Sequence, residues 1–218
     1  MARDCANTDG SPDIDYITYS GVPPVAGLAT CSIVLRVALD SDCPSYGDVF
    51  SVSDGLYANN YVGVFRESTG NNIGWSFRNG SGSPRQYCPF TCDGTMRSFI
   101  IAYDGGATPK TVAYVNGASQ TITMVSALPT SIGSGQTVCG IAQFAGFRMN
   151  GRVAEAVIYN RVITSAEALI HAAGYTTNHF PRGRIFYAPL IREVHDIVGG
   201  LTGTITGTTV SDHPRIYA

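Results

Sequence analysis

At 218 residues, with a net charge of -2 and only 14% charged side chains, the chain has length for one large β domain or two small ones. That charge balance excludes a general electrostatic grip on nucleic acid or an anionic membrane. No apolar run approaches the roughly 18 residues of a membrane-spanning helix, and the thirteen arginines, against the single Lys110, are scattered along the chain, which predicts a solvated set rather than a basic patch.

In chain order, Met1 to Cys5 is polar and carries no apolar signal core, so synthesis in a cytoplasm is expected. On that ground the six cysteines, Cys5, Cys31, Cys43, Cys88, Cys92 and Cys139, are expected as free buried thiols. The Cys88/Cys92 spacing does not match a zinc knuckle. Residues 33–39, 49–52, 61–65, 74–78 and 98–103 are short strand-like runs separated by Asp-, Ser-, Asn- and Gly-rich turns. Residues 111–115 and 118–122 flank Asn116-Gly117, a pair suited to a two-residue hairpin turn with positive φ at both positions. Strands recurring without helical patterns between them predict an all-β, two-sheet antiparallel sandwich of the jelly-roll kind.

One helix is expected. Thr164-Ser165-Ala166-Glu167 has the capping-box pattern, Ala166, Leu169, Ile170 and Ala173 form an apolar stripe for packing on the sandwich, and Gly174 is placed to stop it. Residues 1–180 then make the sandwich. Residues 181–218 read as an extension, part strand and part surface arm, with too few apolar residues to fold alone.

Candidate chemistry is sparse. Glycoside cleavage requires two carboxylates about 5 to 9 Å apart, which on strands appear as acidic pairs at i, i+2. Glu67, Glu155, Glu167 and Glu193 stand alone; Glu155 has the strand context, but its same-face neighbours by simple alternation are Val153 and Val157. His171, His179, His195 and His213 fall in the helix or the extension, with no Gly-x-Ser-x-Gly elbow, and His171 and His213 read as structural. Tyr57, Tyr61, Trp75 and Tyr87 are candidate glycan-stacking or interface contacts; the competing reading makes each a rim of the core.

Residues 147–167 resemble the closing segment of laminin-G-like, concanavalin-A-like domains: Gly151, an apolar strand holding Glu155, the Tyr159-Asn160-Arg161 turn, then the capped helix. Tyr114-Val115-Asn116-Gly117, Ile132-Gly133, Gly140, Asp15-Tyr16-Ile17 and Thr30-Cys31-Ser32-Ile33 are similar to earlier parts of that family in the same order. The resemblance spans about residues 12–178 and implies the concanavalin-A-like jelly roll. It also brings calcium into view, with Asp48, Asp54, Asp93 and Asp104 in turns but no defensible ligand pattern among them. No other cofactor is expected.

Pro189-Leu190, Asp196, Gly199-Gly200, residues 206–210 and Asp212-His213-Pro214 are similar to tails on laminin-G-like bacteriophage proteins. That likeness implies a non-enzymatic virion structural protein, a decoration on a phage capsid surface. Its partners would be the major capsid protein and further copies of itself, as a dimer or trimer. The alternative expectation is a carbohydrate-binding module for host-surface glycans.

Overall fold

The computed structural model describes residues 2–5, 15–55, 60–80, 82–142, 147–190 and 194–211. The strands are β1 (Ala2–Asp4), β2 (Tyr16–Tyr19), β3 (Thr30–Leu39), β4 (Asp48–Ser53), β5 (Tyr61–Arg66), β6 (Asn72–Phe77), β7 (Gln86–Pro89) and β8 (Arg97–Asp104). They continue with β9 (Thr111–Val115), β10 (Ala118–Ser119), β11 (Thr123–Met124), β12 (Val138–Ile141) and β13 (Gly151–Tyr159). The helix α1 (Ser165–Ala172) then precedes β14 (Arg184–Ala188), β15 (Gly203–Thr206) and β16 (Thr209–Ser211). Among the described residues they form two antiparallel sheets, β10-β9-β8-β3-β13-β1-β16 with β14 also on β13, and β11-β7-β6-β5-β4-β12-β2-β15. The expected two-sheet sandwich with one short helix is what the chain adopts.

Strand periodicity explains the core. Ile33, Leu35, Val37 and Leu39 of β3 meet Phe50, Val52, Val62, Val64, Ile73, Trp75 and Phe77 of the opposite sheet in one cluster. A second, smaller cluster lies on the outer face of the first sheet, where Val34, Ile100, Val157 and Tyr159 pack beneath Ile163, Ala168 and Phe180. Covering both faces of β3 and β13 is why these strands read as near-continuous apolar runs.

The local signals form as their chemistry dictates. Asn116 and Gly117 both have positive φ, 48° and 78°, and they join β9 to β10 as a hairpin. Thr164 accepts from the Glu167 amide and Glu167 returns to the Thr164 backbone, completing the capping box. Gly174 follows at φ 100°. All six cysteines are free and buried.

The helix, however, is turned about relative to the expected orientation. Ala166, Leu169, Ile170 and Ala173 face outward, with Leu169 60% exposed, and the buried positions are Ala168 and His171. Small Ala168 lets the helix approach the sheet, and His171 is held there by polar partners described below.

The segment after residue 181 is woven into both sheets. β14 pairs with β13, β15 with β2, and β16 with β1. Asp196 ties the connecting loop: it accepts from the amides of Tyr187, Val198 and Gly199 at 2.8, 3.0 and 2.9 Å. Among the described residues up to Ser211, the expected arm contributes three strands, β14, β15 and β16, to this chain's own sandwich.

Candidate functional site

Two polar assemblies stand out, one closed and one reaching solvent at one end. The closed one lies beneath α1. A register shift between Val153 and Glu155 marks a bulge in β13, so Val153 points into the main core while Glu155 turns to the helix-covered face. Glu155 is thus not isolated. His171 Nε2 lies 2.9 Å from its Oε2, Arg36 Nε 3.6 Å from the same oxygen, and the Thr177 amide and hydroxyl donate to Oε1 at 3.1 and 2.9 Å. Ser98 Oγ sits 2.6 Å from His171 Nδ1.

Burial pushes the Glu155 carboxyl up, but the His171 and Thr177 hydrogen bonds and the nearby Arg36 outweigh it and hold it below the ordinary glutamate value. Burial lowers His171. The resulting state is a neutral imidazole donating to a carboxylate through Nε2 and accepting the Ser98 hydroxyl at Nδ1. This hydroxyl–imidazole–carboxylate order is that of a nucleophilic relay, but Ser98, His171 and Glu155 are all buried. The relay fastens the helix to the sheet, which agrees with the structural reading of His171.

Beside the helix, a cleft of about 570 Å³ is lined by Asn160, Arg161, Thr164, Glu167, Phe180 and Arg182, among others. Two of its charges are engaged with one another: Arg161 grips Glu167 at 2.9 and 2.5 Å, and it also donates through Nε to the Arg182 carbonyl at 2.7 Å.

The second assembly lies on the outer face of the second sheet, whose floor is buried and which reaches solvent at one end. Here alternation sends Ile73, Trp75 and Phe77 inward, and leaves Gly74 and Ser76 outside. Neighbouring strands continue the pattern in register, with Thr18 opposite Gly140, Gly140 opposite Ser51, Ser51 opposite Gly63 and Gly63 opposite Ser76. The face is therefore floored by small residues. Aromatic rings lie flat across it: a Cβ on Gly63 would fall 2.5 Å from the Tyr61 hydroxyl, and one on Gly74 2.6 Å from the Phe65 ring. Tyr61 donates to Asp48 Oδ1 at 3.2 Å, and Ser51 donates to Oδ2 at 2.9 Å.

Toward one end, the rings reach solvent. Tyr46 packs 6.2 Å from Phe65 and 6.5 Å from Phe147 between centroids, and Phe147 is 40% exposed. The Arg85 guanidinium lies 5.2 Å from the Tyr46 ring centre, and its Nη1 donates to the Tyr46 hydroxyl at 2.7 Å. Hydrogen bonds from Ser68 and Arg85 lower the Tyr46 phenol. Buried Glu67 backs Arg85 at 3.7 Å. Tyr87, opposite Gly74 in register, stands half-buried on this same face.

Of the four residues singled out from the sequence, Tyr87 alone both belongs to this face and reaches solvent among the described residues. Trp75 is wholly buried in the core, 6.2 Å from Phe99, because it shares strand parity with Ile73 and Phe77. Tyr61 is 3% exposed, its ring pressed onto Gly63; neither is a stacking platform. Tyr57 lies outside the described residues. Tyr46, Phe147 and Arg85 were missed; Tyr46 sits in Pro44-Ser45-Tyr46-Gly47, a loop whose fold brings it over Phe65 with a left-handed φ of 62°.

The four aspartates weighed for calcium do not converge. Asp48 lies in β4 rather than a turn and is buried against Ser51 and Tyr61. Asp93 is held at 2.7 and 3.0 Å by Arg97, Asp54 accepts from the Asn60 amide at 3.3 Å, and Asp104 from the Gly106 amide at 3.0 Å. Among the described residues no three His, Cys, Asp or Glu side chains gather as a metal site.

No protein-family model matches the chain, and no curated protein sequence does. Solved structures do. A Bacteroides ovatus protein described as a putative carbohydrate binding protein superposes with a TM-score of 0.70 at 15% identity, over 100% of this chain and 61% of that one. This chain therefore spans about three-fifths of that neighbour's length. A heptameric SAP-like pentraxin from Limulus polyphemus gives 0.63 at 15% identity, over 94% of this chain and 95% of its own. The CBM40 of Ruminococcus gnavus IT-sialidase, solved with α2,3 sialyllactose, gives 0.54 at 15% identity over 71% and 93%. The chain thus has the jelly-roll β-sandwich fold that carbohydrate-binding modules and pentraxins share.

Proposed function

We propose that this protein binds glycans, and that the ligand lies across the Tyr46–Arg85–Phe147–Tyr87 end of the second sheet's outer face. The observation that carries this reading is solvent-reaching Tyr46 packed against both the Arg85 guanidinium and half-exposed Phe147, with Tyr87 on the same sheet face. Aromatic faces take the apolar C–H side of a pyranose, while the guanidinium donates to hydroxyl or carboxylate oxygens. Tyr46 and Arg85 fix one another, so little side-chain freedom is lost on binding. The carbohydrate-binding neighbours support the same reading.

The role is binding rather than cleavage. Two carboxylates beside this face, Asp48 and Glu67, are buried, Asp48 accepting from Ser51 and Tyr61 and Glu67 engaging Ser68 and Arg85 through Oε1. A glycosidase would need two such groups free to protonate and attack across the scissile bond.

The expectation of a capsid decoration drew on tail residues that have work inside this sandwich. Leu190 is buried, Asp196 ties a loop, and residues 206–210 fall in and between two edge strands. The remaining tail residues, Asp212, His213 and Pro214, lie outside the described residues.

A glycan array with the full chain tests the reading. Binding should appear, and Phe147→Ala and Tyr87→Ala should each weaken it about tenfold, roughly 1.4 kcal/mol. No glycan bound by the unmodified chain, or affinity unchanged in both variants, would sink it.

A further inference from the structure

At one margin of the sandwich both sheets end together. β15 pairs only with β2 and β16 only with β1 among the described residues, and the two strands are joined through Gly207 and Thr208, with Thr208 N–H donating to the Thr206 carbonyl at 2.9 Å. Side-chain direction at this margin follows from register. Ile205 lies opposite Ile17, which is in the core. Val210 lies opposite Arg3, which lies opposite core residue Val153. Both therefore point toward the space between the sheets, yet Ile205 is 40% and Val210 50% exposed, and among the described residues no further strand caps the mouth of the sandwich. Ile197 and Val198 in the preceding loop are exposed as well.

Natural edge strands are guarded by charges, prolines or bulges. Residues 197–211 contain no charged side chain and no proline, and no bulge interrupts the β15 or β16 pairing. We propose that this double edge is the contact surface for a second copy of the chain, joined antiparallel about a two-fold axis perpendicular to the sheets. The occupant follows from the edge itself. An uncharged Thr/Ile/Val strand meets its own copy without repulsion, and main-chain hydrogen bonds supply the attraction. A two-fold closes the contact on itself, so no open edge is left at that margin to propagate into fibres. Ile205 and Val210 of each copy then cap the other's mouth.

Such an axis keeps corresponding faces on the same side. The two outer faces of the second sheet would then point the same way, which, resting on the glycan reading above, makes the dimer a bivalent binder.

Sedimentation velocity on a dilution series of the full chain tests the dimer without any glycan. A concentration-dependent dimer is expected, and Ile205→Lys combined with Val210→Lys should leave a monomer that still melts cooperatively, at a temperature that no longer depends on concentration. A monomer at every concentration, or a dimer that persists in the double variant, overturns the proposal. Should the variant fail to fold, amide hydrogen exchange on the unmodified chain decides: residues 203–206 and 209–211 must gain protection with concentration, and protection gained only elsewhere overturns it. Failure of the glycan array leaves these readouts unaffected, so the two proposals fail separately.

Discussion

Glu155 and His171 meet at 2.9 Å beneath the helix, although one projects from a strand of the first sheet and the other from the helix laid over it. Their contact sets the rotation of α1. With His171 turned inward and Arg36 donating through Nη2 to the Tyr175 carbonyl at 2.8 Å, the apolar stripe is left facing outward.

Breaking that pair should be costly. Glu155→Leu leaves Arg36 and His171 buried without their carboxylate, and removing one partner of a buried ion pair costs about 3–5 kcal/mol. Urea unfolding should show a loss in that range; a loss under about 1 kcal/mol would mean the cluster contributes little to holding the helix.

The same cluster makes stability depend on pH. His171 is held below its ordinary value of 6.5 in the folded chain, so the unfolded chain binds the extra proton first. Its contribution is complete above about 6.5 and is lost as pH falls below that. Glu155, also held low, adds a second loss below about 4.5. Urea midpoints should fall between pH 7.5 and 5.5, and His171→Asn should flatten that first decline. An unmodified chain equally stable at both pH values would rule out His171 as the group responsible.

The helix orientation yields a paired comparison. Leu169→Gln changes an exposed side chain and should shift stability by no more than about 0.5 kcal/mol. Ala168→Leu forces three more carbons between helix and sheet and should cost about 1–3 kcal/mol. Thermal melts giving the opposite ranking would mean that the stripe is the buried side after all.

Gly63→Ala should disturb the second sheet's outer face more than Gly74→Ala. The new methyl at Gly63 meets the Phe50 carbonyl at 2.7 Å as well as Tyr61, whereas at Gly74 its three nearest atoms all belong to the Phe65 ring. Backbone cannot swing aside as a side chain can, so about 1–3 kcal/mol is expected for the first and less for the second. Equal losses in denaturant titration would argue that both rings yield alike.

Local chemistry was legible in the sequence. Asn116-Gly117 and the Thr164–Glu167 box each depend on residues within a few positions of one another, whereas Trp75, expected as a candidate surface contact, shares the inward parity of Ile73 and Phe77 and is buried. What resisted reading depends on distant partners. The bulge before Glu155 reverses strand parity and brings in Arg36 and His171, more than a hundred residues apart in sequence. Which stripe of α1 is buried follows from those partners and not from hydrophobic periodicity. Tyr46 joins the second sheet's outer face only because its loop folds back over Phe65.

The pairing of β1 with β16 and of β2 with β15 joins segments near opposite ends of the chain. A ribosome must therefore release the chain through β15 and β16 before either sheet can acquire its last strand, and until then β1 and β2 each lack one neighbour. Such late, distant pairings are slow to form, and during that interval the nascent protein depends on chaperones, or on speed, to escape aggregation.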